Sequence, residues 1–322
     1  MNNFQVYKKT LPFSFINFAI GLLSLFLVAG FMSVGFFIFN NINSMGILGL
    51  FIGLIVAIPA VILVDIFLAN RFKAAQISMM TKGVLGEELP DDIVKSGLND
   101  LKGRFGRITA FYFISRAIKG IFNQLGRAMT HIGSAVGGEV GGTVTSVIDT
   151  GVQILIGYLV DCCMGWILYR KDINGAKAGC EGAYIFFRHG KTLIRNIGRI
   201  FGMGFLSLIV IGGIFFGVTF AILSALPNMS QMLVNEIQEM AVRLEIELPS
   251  FFSNPTALIA VIAAVIGIVM FSIIHSVLIR PFILTGVLRN FMEAGKAHIP
   301  TEEQLKELDA KSSKFAKLHN SI

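Results

Sequence analysis

From Thr10 to Val64 the chain carries no Asp, Glu, Lys or Arg. No soluble core needs an uncharged run of that length, whereas two bilayer crossings and the turn between them do. That stretch confines the chain to one class: all-α, a polytopic helical membrane protein. Composition agrees, with 15% charged residues against roughly 25% in soluble domains. The apolar region from Leu11 to Phe39 is too long for a secretory h-region and has no small-residue cleavage site, so it reads as a first span.

The pattern predicts six spans. They are about 13–39, 47–69, 109–131, 144–168, 200–226 and 256–279, with both termini cytoplasmic. Orientation follows from the basic residues. Lys8 and Lys9 precede the first span, Arg71, Lys73 and Lys82 follow the second, and Arg170 to Arg199 holds seven Lys or Arg against Asp172 and Glu181. Cytoplasmic loops are enriched in Lys and Arg. The net charge of +7 therefore reads as loops facing anionic lipid headgroups of a plasma membrane, not as a nucleic-acid surface.

Charge and helical periodicity meet in the middle of the chain. Tyr112, Arg116, Lys119, Asn123, Arg127 and Thr130 recur at helical spacing and form one basic stripe. After the glycine-rich run Gly133–Gly142, a second apolar helix carries Asp149 and Asp161. Folding back at Gly137-Gly138 sets Arg116 nearly opposite Asp161 and Arg127 nearly opposite Asp149. A charge at mid-bilayer costs roughly 2.5–3.5 kcal/mol on insertion scales, so facing opposite charges offset much of it. The expectation is a charged hairpin inside the membrane. The alternative lays 109–131 on the cytoplasmic surface as a basic amphipathic helix. Two basic loops flank the region, so it must cross an even number of times, and this alternative has to lift both helices out of the core.

Two echoes suggest parallel helix-pair repeats around that hairpin. Lys9-Thr10-Leu11 returns as Lys191-Thr192-Leu193. Pro90, Leu98, Arg104, Phe105 and Arg107 match Pro300, Leu308, Lys314, Phe315 and Lys317 at one offset. The same offset aligns Asp65 with His275. The expected organisation is a first pair over 1–107, the hairpin over 108–169, a basic loop over 170–199 and a second pair over 200–322, as one membrane domain. The acidic segment 227–254 is expected outside, with Met232, Leu233, Ile237, Met240 and Leu244 on one helical face. Pro90-Asp91-Asp92 is expected to open a short helix, and Thr301 with Gln304 has capping-box spacing.

Other motifs exclude more than they assign. The three cysteines, two of them adjacent, form neither a disulfide framework nor a metal motif. No HExxH, GxSxG or P-loop is present, so no enzyme, cofactor or metal is expected. Arg188-His189-Gly190 matches a phosphatase tripeptide, which functions only at a strand end with further Arg and His partners. Gly213-x-x-x-Gly217 and the pairs within Gly137–Gly142 have the spacing of close helix packing, and a homo-oligomer is compatible with the sequence. The function expected is a small-solute or ion transporter or channel. Its path would be lined by Arg116, Lys119, Arg127, Asp149 and Asp161, with Asp65 and His275 at equivalent depths. The other class is a non-transporting scaffold, lipid-binding regulator or subunit of a membrane complex.

Overall fold

The computed structural model of the chain describes residues 1–43, 45–105, 115–124, 142–194, 197–243, 249 and 254–321. Among these the regular structure is helical. The helices are α1 (Asn3–Asn43), α2 (Gly46–Val64), α3 (Asn70–Val84), α4 (Ile93–Phe105), α5 (115–124), α6 (Gly142–Tyr169) and α7 (Gly175–Ile194). The second half holds α8 (Ile197–Ser207), α9 (Gly213–Ser224), α10 (Pro227–Arg243), α11 (Pro255–Ile274), α12 (Arg280–Ala297), α13 (Glu302–Asp309) and α14 (Ser313–His319). Three short π-helical turns, Asp65–Ala69, Leu208–Gly212 and His275–Ile279, join α2 to α3, α8 to α9 and α11 to α12.

Four helices among the described residues are long and apolar enough to cross a membrane: Asn3–Ile42, Gly46–Val84, Gly202–Ser224 and Pro255–Ala297. Six are expected from the sequence, and the two that do not qualify are those of the central hairpin. Of α5 only ten residues are described, and of α6, 28 residues long, the side chains are described over Ile156–Tyr169.

The chain divides into two compact units. Unit 1 is Met1–Ile16, Ile66–Phe201 and Arg280–Ile322, and unit 2 is Asn17–Asp65 and Gly202–Ile279. Charge divides with them. Unit 1 holds 26 of the 27 Lys and Arg and 15 of the 20 Asp and Glu, a net +11, while unit 2 holds one and five, a net −4.

Unit 1 is built like a water-soluble helical core. α6 packs against α3, α7 and α12, with α13 and α14 laid on α7. Trp166, Phe291, Phe315, Met79, Met80 and Leu159 are fully buried there. Asp92 opens α4 as expected, its Oδ1 accepting from the Lys95 N–H at 3.1 Å. Ile93 and Leu101 turn inward, with Gly97 between them, where an added Cβ would meet Phe13 at 2.9 Å and the Ala75 carbonyl at 3.0 Å. The Thr301–Gln304 capping box also forms. Arg289 fastens the N-terminus, donating to Asn3 Oδ1 at 2.5 Å and to the Met1 carbonyl at 2.8 Å.

Unit 2 is held by close backbone approach. A Cβ on Gly49 would lie 2.1 Å from the Gly35 carbonyl oxygen, and one on Gly53 would lie 2.3 Å from the Phe31 oxygen, so α1 and α2 touch through bare backbone. A Cβ on Gly267 would lie 2.8 Å from the Gly212 oxygen. Gly213 and Gly217, expected at such an interface, have nothing within 4 Å of an added Cβ. The outer faces are apolar: Phe26, Phe37, Ile55, Phe205 and Ile268 are all exposed. So continuous an apolar exterior suits lipid rather than water and marks a membrane protein.

α10 packs on α2, α9 and α11. Its inward face is Val234 and Ala241, while Met232, placed by its spacing on the packed face, is exposed with Val242. Leu244 lies outside the described residues, as does the side chain of Met240.

Gly49→Leu would drive a branched side chain into the α1 backbone, whereas Gly213→Leu enters open space. We expect Gly49→Leu to destabilise the protein by at least the roughly 1–3 kcal/mol of an overpacked core, and Gly213→Leu to melt within a degree or two of wild type. Thermal unfolding in detergent measures both, and equal melting of the two would disprove the glycine contact.

Candidate functional site

Three helices of unit 1 converge on one carboxylate. Asp161 lies on α6, one helical turn beyond Gly157, with only 4% of its side chain exposed. Its Oδ1 accepts from Lys73 Nζ of α3 at 2.7 Å, and its Oδ2 accepts from Arg280 Nη2 of α12 at 2.7 Å. The same Nη2 donates to the Gly157 carbonyl at 3.2 Å. Tyr158 completes the group, with the Arg280 guanidinium carbon 5.5 Å from its ring centroid. The two cations keep a third of their side chains exposed, 37% for Lys73 and 30% for Arg280.

Arg280 ends an uncharged run and Lys73 follows another after Asp65 and Arg71, where α11 continues into α12 and α2 into α3 through a π-helical turn. On α6 the i, i+4 spacing of Gly157 and Asp161 places a carbonyl and a carboxylate on one face. Glycine at 157 leaves room: a Cβ there would lie 3.3 Å from Arg280 Nη2.

Electrostatics follow from burial and pairing. Burial alone would raise the Asp161 pKa, but Arg280 and Lys73 outweigh it and hold the carboxyl below its ordinary range. Burial pushes the Tyr158 hydroxyl up to about 12, against the pull of Arg280. Two cations face one carboxylate in this cluster. Two buried atoms in it, Arg280 Nε and the Tyr158 hydroxyl, have no hydrogen-bond partner.

The described members of the sequence-predicted site lie on different elements. Asp161 bonds Lys73 and Arg280 instead of the mirrored Arg116. Arg116 and Lys119 lie on the exposed face of α5, whose buried side, Ile118, Ile121 and Phe122, packs in unit 1. There the Phe122 ring meets Phe186 edge-on at 5.0 Å, and the Gln124 carboxamide accepts from Ser312 Oγ at 2.9 Å. Arg127 and the Gly137-Gly138 turn lie outside the described residues, as does the side chain of Asp149. Asp65 and His275 belong to unit 2 and open two of the π-helical turns, with the Phe271 ring 5.2 Å from that of His275. Arg188-His189-Gly190 lies inside α7, not at a strand end.

Lys73, Arg280 and Tyr158 are the members that sequence reasoning missed. The available signal was position, since Arg280 ends a charge-free stretch and Lys73 follows soon after another. Other charged groups in unit 1 serve its packing. Asp100 is held between Lys82 at 2.7 Å and Ser78 at 2.9 Å, and buried Glu181 accepts from both Trp166 Nε1 and Arg170 Nη1 at 2.9 Å. Among the described residues no three His, Cys, Asp or Glu come together as a metal site.

No family model, no curated protein and no solved structure matches the chain.

Removing the carboxylate should be costly. Asp161→Asn leaves two cations without their counter-charge. We expect a loss of about 3 kcal/mol at neutral pH, the low end for a buried pair because both cations are partly screened. The depressed pKa means that ionised Asp161 is bound better in the fold than in the unfolded chain. Its stabilisation is complete above the unfolded value near 4 and is lost as pH falls through the lower folded value. The gap between wild type and Asp161→Asn should therefore close below about pH 4. Denaturant unfolding at several pH values measures it, and a gap that persists unchanged in acid would rule out the ionic pairing.

Proposed function

We propose that this chain is a non-transporting membrane protein in which unit 2 anchors unit 1, a basic helical domain, at the cytoplasmic face. It acts there as a scaffold or as a subunit of a larger membrane assembly. One observation carries this reading: Asp161, the residue best placed by sequence to line a path, is consumed in the packing of unit 1 by Lys73 and Arg280. Two further observations support it. The segregation of +11 into unit 1 fits a domain on the cytoplasmic side of four spans. In unit 2, the hydroxyls of Ser24, Ser207 and Ser272 donate to carbonyls of their own helices at 2.8–3.1 Å, which is how polar groups are satisfied without lining a channel.

A transport path through unit 2 is the second reading. The two π-helical turns that open with Asp65 and His275 favour it, because π-turns recur at functional sites. They begin at the same offset of 210 that relates the sequence echoes.

Thiol labelling with a membrane-impermeant maleimide separates the two readings. The native Cys162, Cys163 and Cys180 are buried, and burial raises all three thiols, Cys180 to about 12. They should stay unlabelled until denaturation, because the thiolate is the reactive form. We expect Lys119→Cys on α5 to label only in inside-out vesicles and Val242→Cys on α10 only in right-side-out vesicles. Protection of Lys119→Cys from both sides would place α5 in the bilayer and restore the charged hairpin.

A further inference from the structure

Four lysines that are far apart in the chain come together on unit 1. Gln124, at the end of α5, joins that helix to α14. Its carboxamide accepts from Ser312 Oγ at 2.9 Å and from the Lys314 N–H at 3.2 Å, and donates to Ser313 Oγ at 3.1 Å. The Lys314 stem lies over α5 at Gly120, where an added Cβ would meet its Cδ and Nζ at 3.3 Å. Lys119 stands beside that glycine, and Lys317 follows Lys314 by about one helical turn. Lys311 closes the group over α7, its ammonium 4.5 Å from the centroid of the Phe187 ring. All four lysines are exposed.

The acids nearby are turned elsewhere. Among the described residues of α5, α7 and α14 the one acid is Glu181, which is buried and bonded to Trp166 and Arg170. On α13, Asp309 and Glu302 meet His319 at 2.9 and 3.3 Å, and Glu302 also takes Lys177. Glu303 and Glu307 stand on the outer side of α13, opposite its buried Leu305 and Leu308. Among the described residues none of the four lysines forms an ion pair. Nor does this surface offer apolar anchors, since no large apolar side chain described on α5, α7 or α14 is exposed.

We propose that this lysine face of unit 1 docks on anionic phospholipid headgroups of the membrane that unit 2 spans. The proposal rests on the anchored-domain reading, and the composition of the face selects the partner. Protein interfaces are depleted in Lys and draw their affinity from Trp, Tyr and Arg seated in desolvated pockets. An ammonium is a compact, strongly hydrated point charge on a flexible stem, which suits many mobile phosphates better than one fixed partner. Tethering by unit 2 holds the headgroups at high effective concentration. Each lysine near such a surface strengthens association about fivefold.

Full-length protein in nanodiscs of phosphatidylcholine, with or without phosphatidylglycerol, tests the docking. Asn320→Cys, exposed at the end of α14, carries a fluorophore, while the native cysteines are buried. A trace of phosphatidylcholine with a nitroxide on its headgroup quenches the label when the face meets the bilayer. We expect quenching with phosphatidylglycerol that disappears in high salt, because such contacts are screened. Lys314→Gln and Lys317→Gln should each lower the docked-to-free ratio about fivefold, while exposed Lys95→Gln on α4 stays within about twofold of wild type.

Quenching that is the same with and without phosphatidylglycerol, or that both α14 variants retain in full, overturns the proposal. A response to polyglutamate or duplex DNA with none to phosphatidylglycerol also overturns it, and assigns the face to a soluble polyanion. Failure here is separable from failure of the anchored-domain reading. Lys119→Cys labelled in high salt from inside-out vesicles keeps that reading whatever the quenching shows. Lys119→Cys labelled from neither side removes it whatever the lipid does.

Discussion

The contact of Asp161 with Lys73 and Arg280 is where α3, α6 and α12 are locked in register. α3 and α12 are the polar continuations of two long apolar helices, and a bond to a third element ties both to one register. Asp161 supplies that bond from α6, one turn beyond a glycine whose carbonyl takes the same guanidinium nitrogen. Buried ion pairs add little net stability, because desolvation offsets most of the attraction. What they add is discrimination: any rotation of α6 strands a carboxylate among apolar side chains. The same helix buries Trp166 and Leu159 toward α3, α7 and α12, so the charged contact sets the register in which the apolar core then packs.

Charge segregation is the wider constraint within which that contact works. Almost all cations reside in unit 1, and helices of unit 2 meet through bare backbone at several glycines. Among apolar surfaces in lipid there is little hydrophobic gain from association, so contact has to come from close van der Waals fit. Gly35, Gly49 and Gly53 provide it by removing the side chains that would hold two backbones apart. The large exposed residues on the other faces, Phe26 and Ile55 among them, are a liability in water and ordinary in a bilayer.

Much of the local structure was legible residue by residue. The α4 start at Asp92 and the capping box at Thr301 depend on hydrogen bonds within four residues, and spacing reveals these directly. In the central hairpin, periodicity identifies a face without saying what the face meets. Ile118, Ile121 and Phe122 make the same stripe whether they dissolve in lipid or pack on protein, and here all three are buried, with Phe122 against Phe186. The mirrored pairing of Arg116 with Asp161 assumed that chain distance from a turn sets height, which ignores cations arriving from α3 and α12. Gly213-x-x-x-Gly217 misled for a related reason: small spacing permits a close approach, and only a neighbouring helix realises it.

The sequence by itself determined that this is an all-helical membrane protein and where its apolar helices and caps lie. Those properties depend on hydropathy, charge and hydrogen bonds over short stretches of chain. The tertiary structure alone decided which charges meet, which glycines touch and which apolar stripe packs on protein. Asp161 is separated from Lys73 by 88 residues and from Arg280 by 119, and no local pattern encodes a contact whose geometry is set by the packing of three helices.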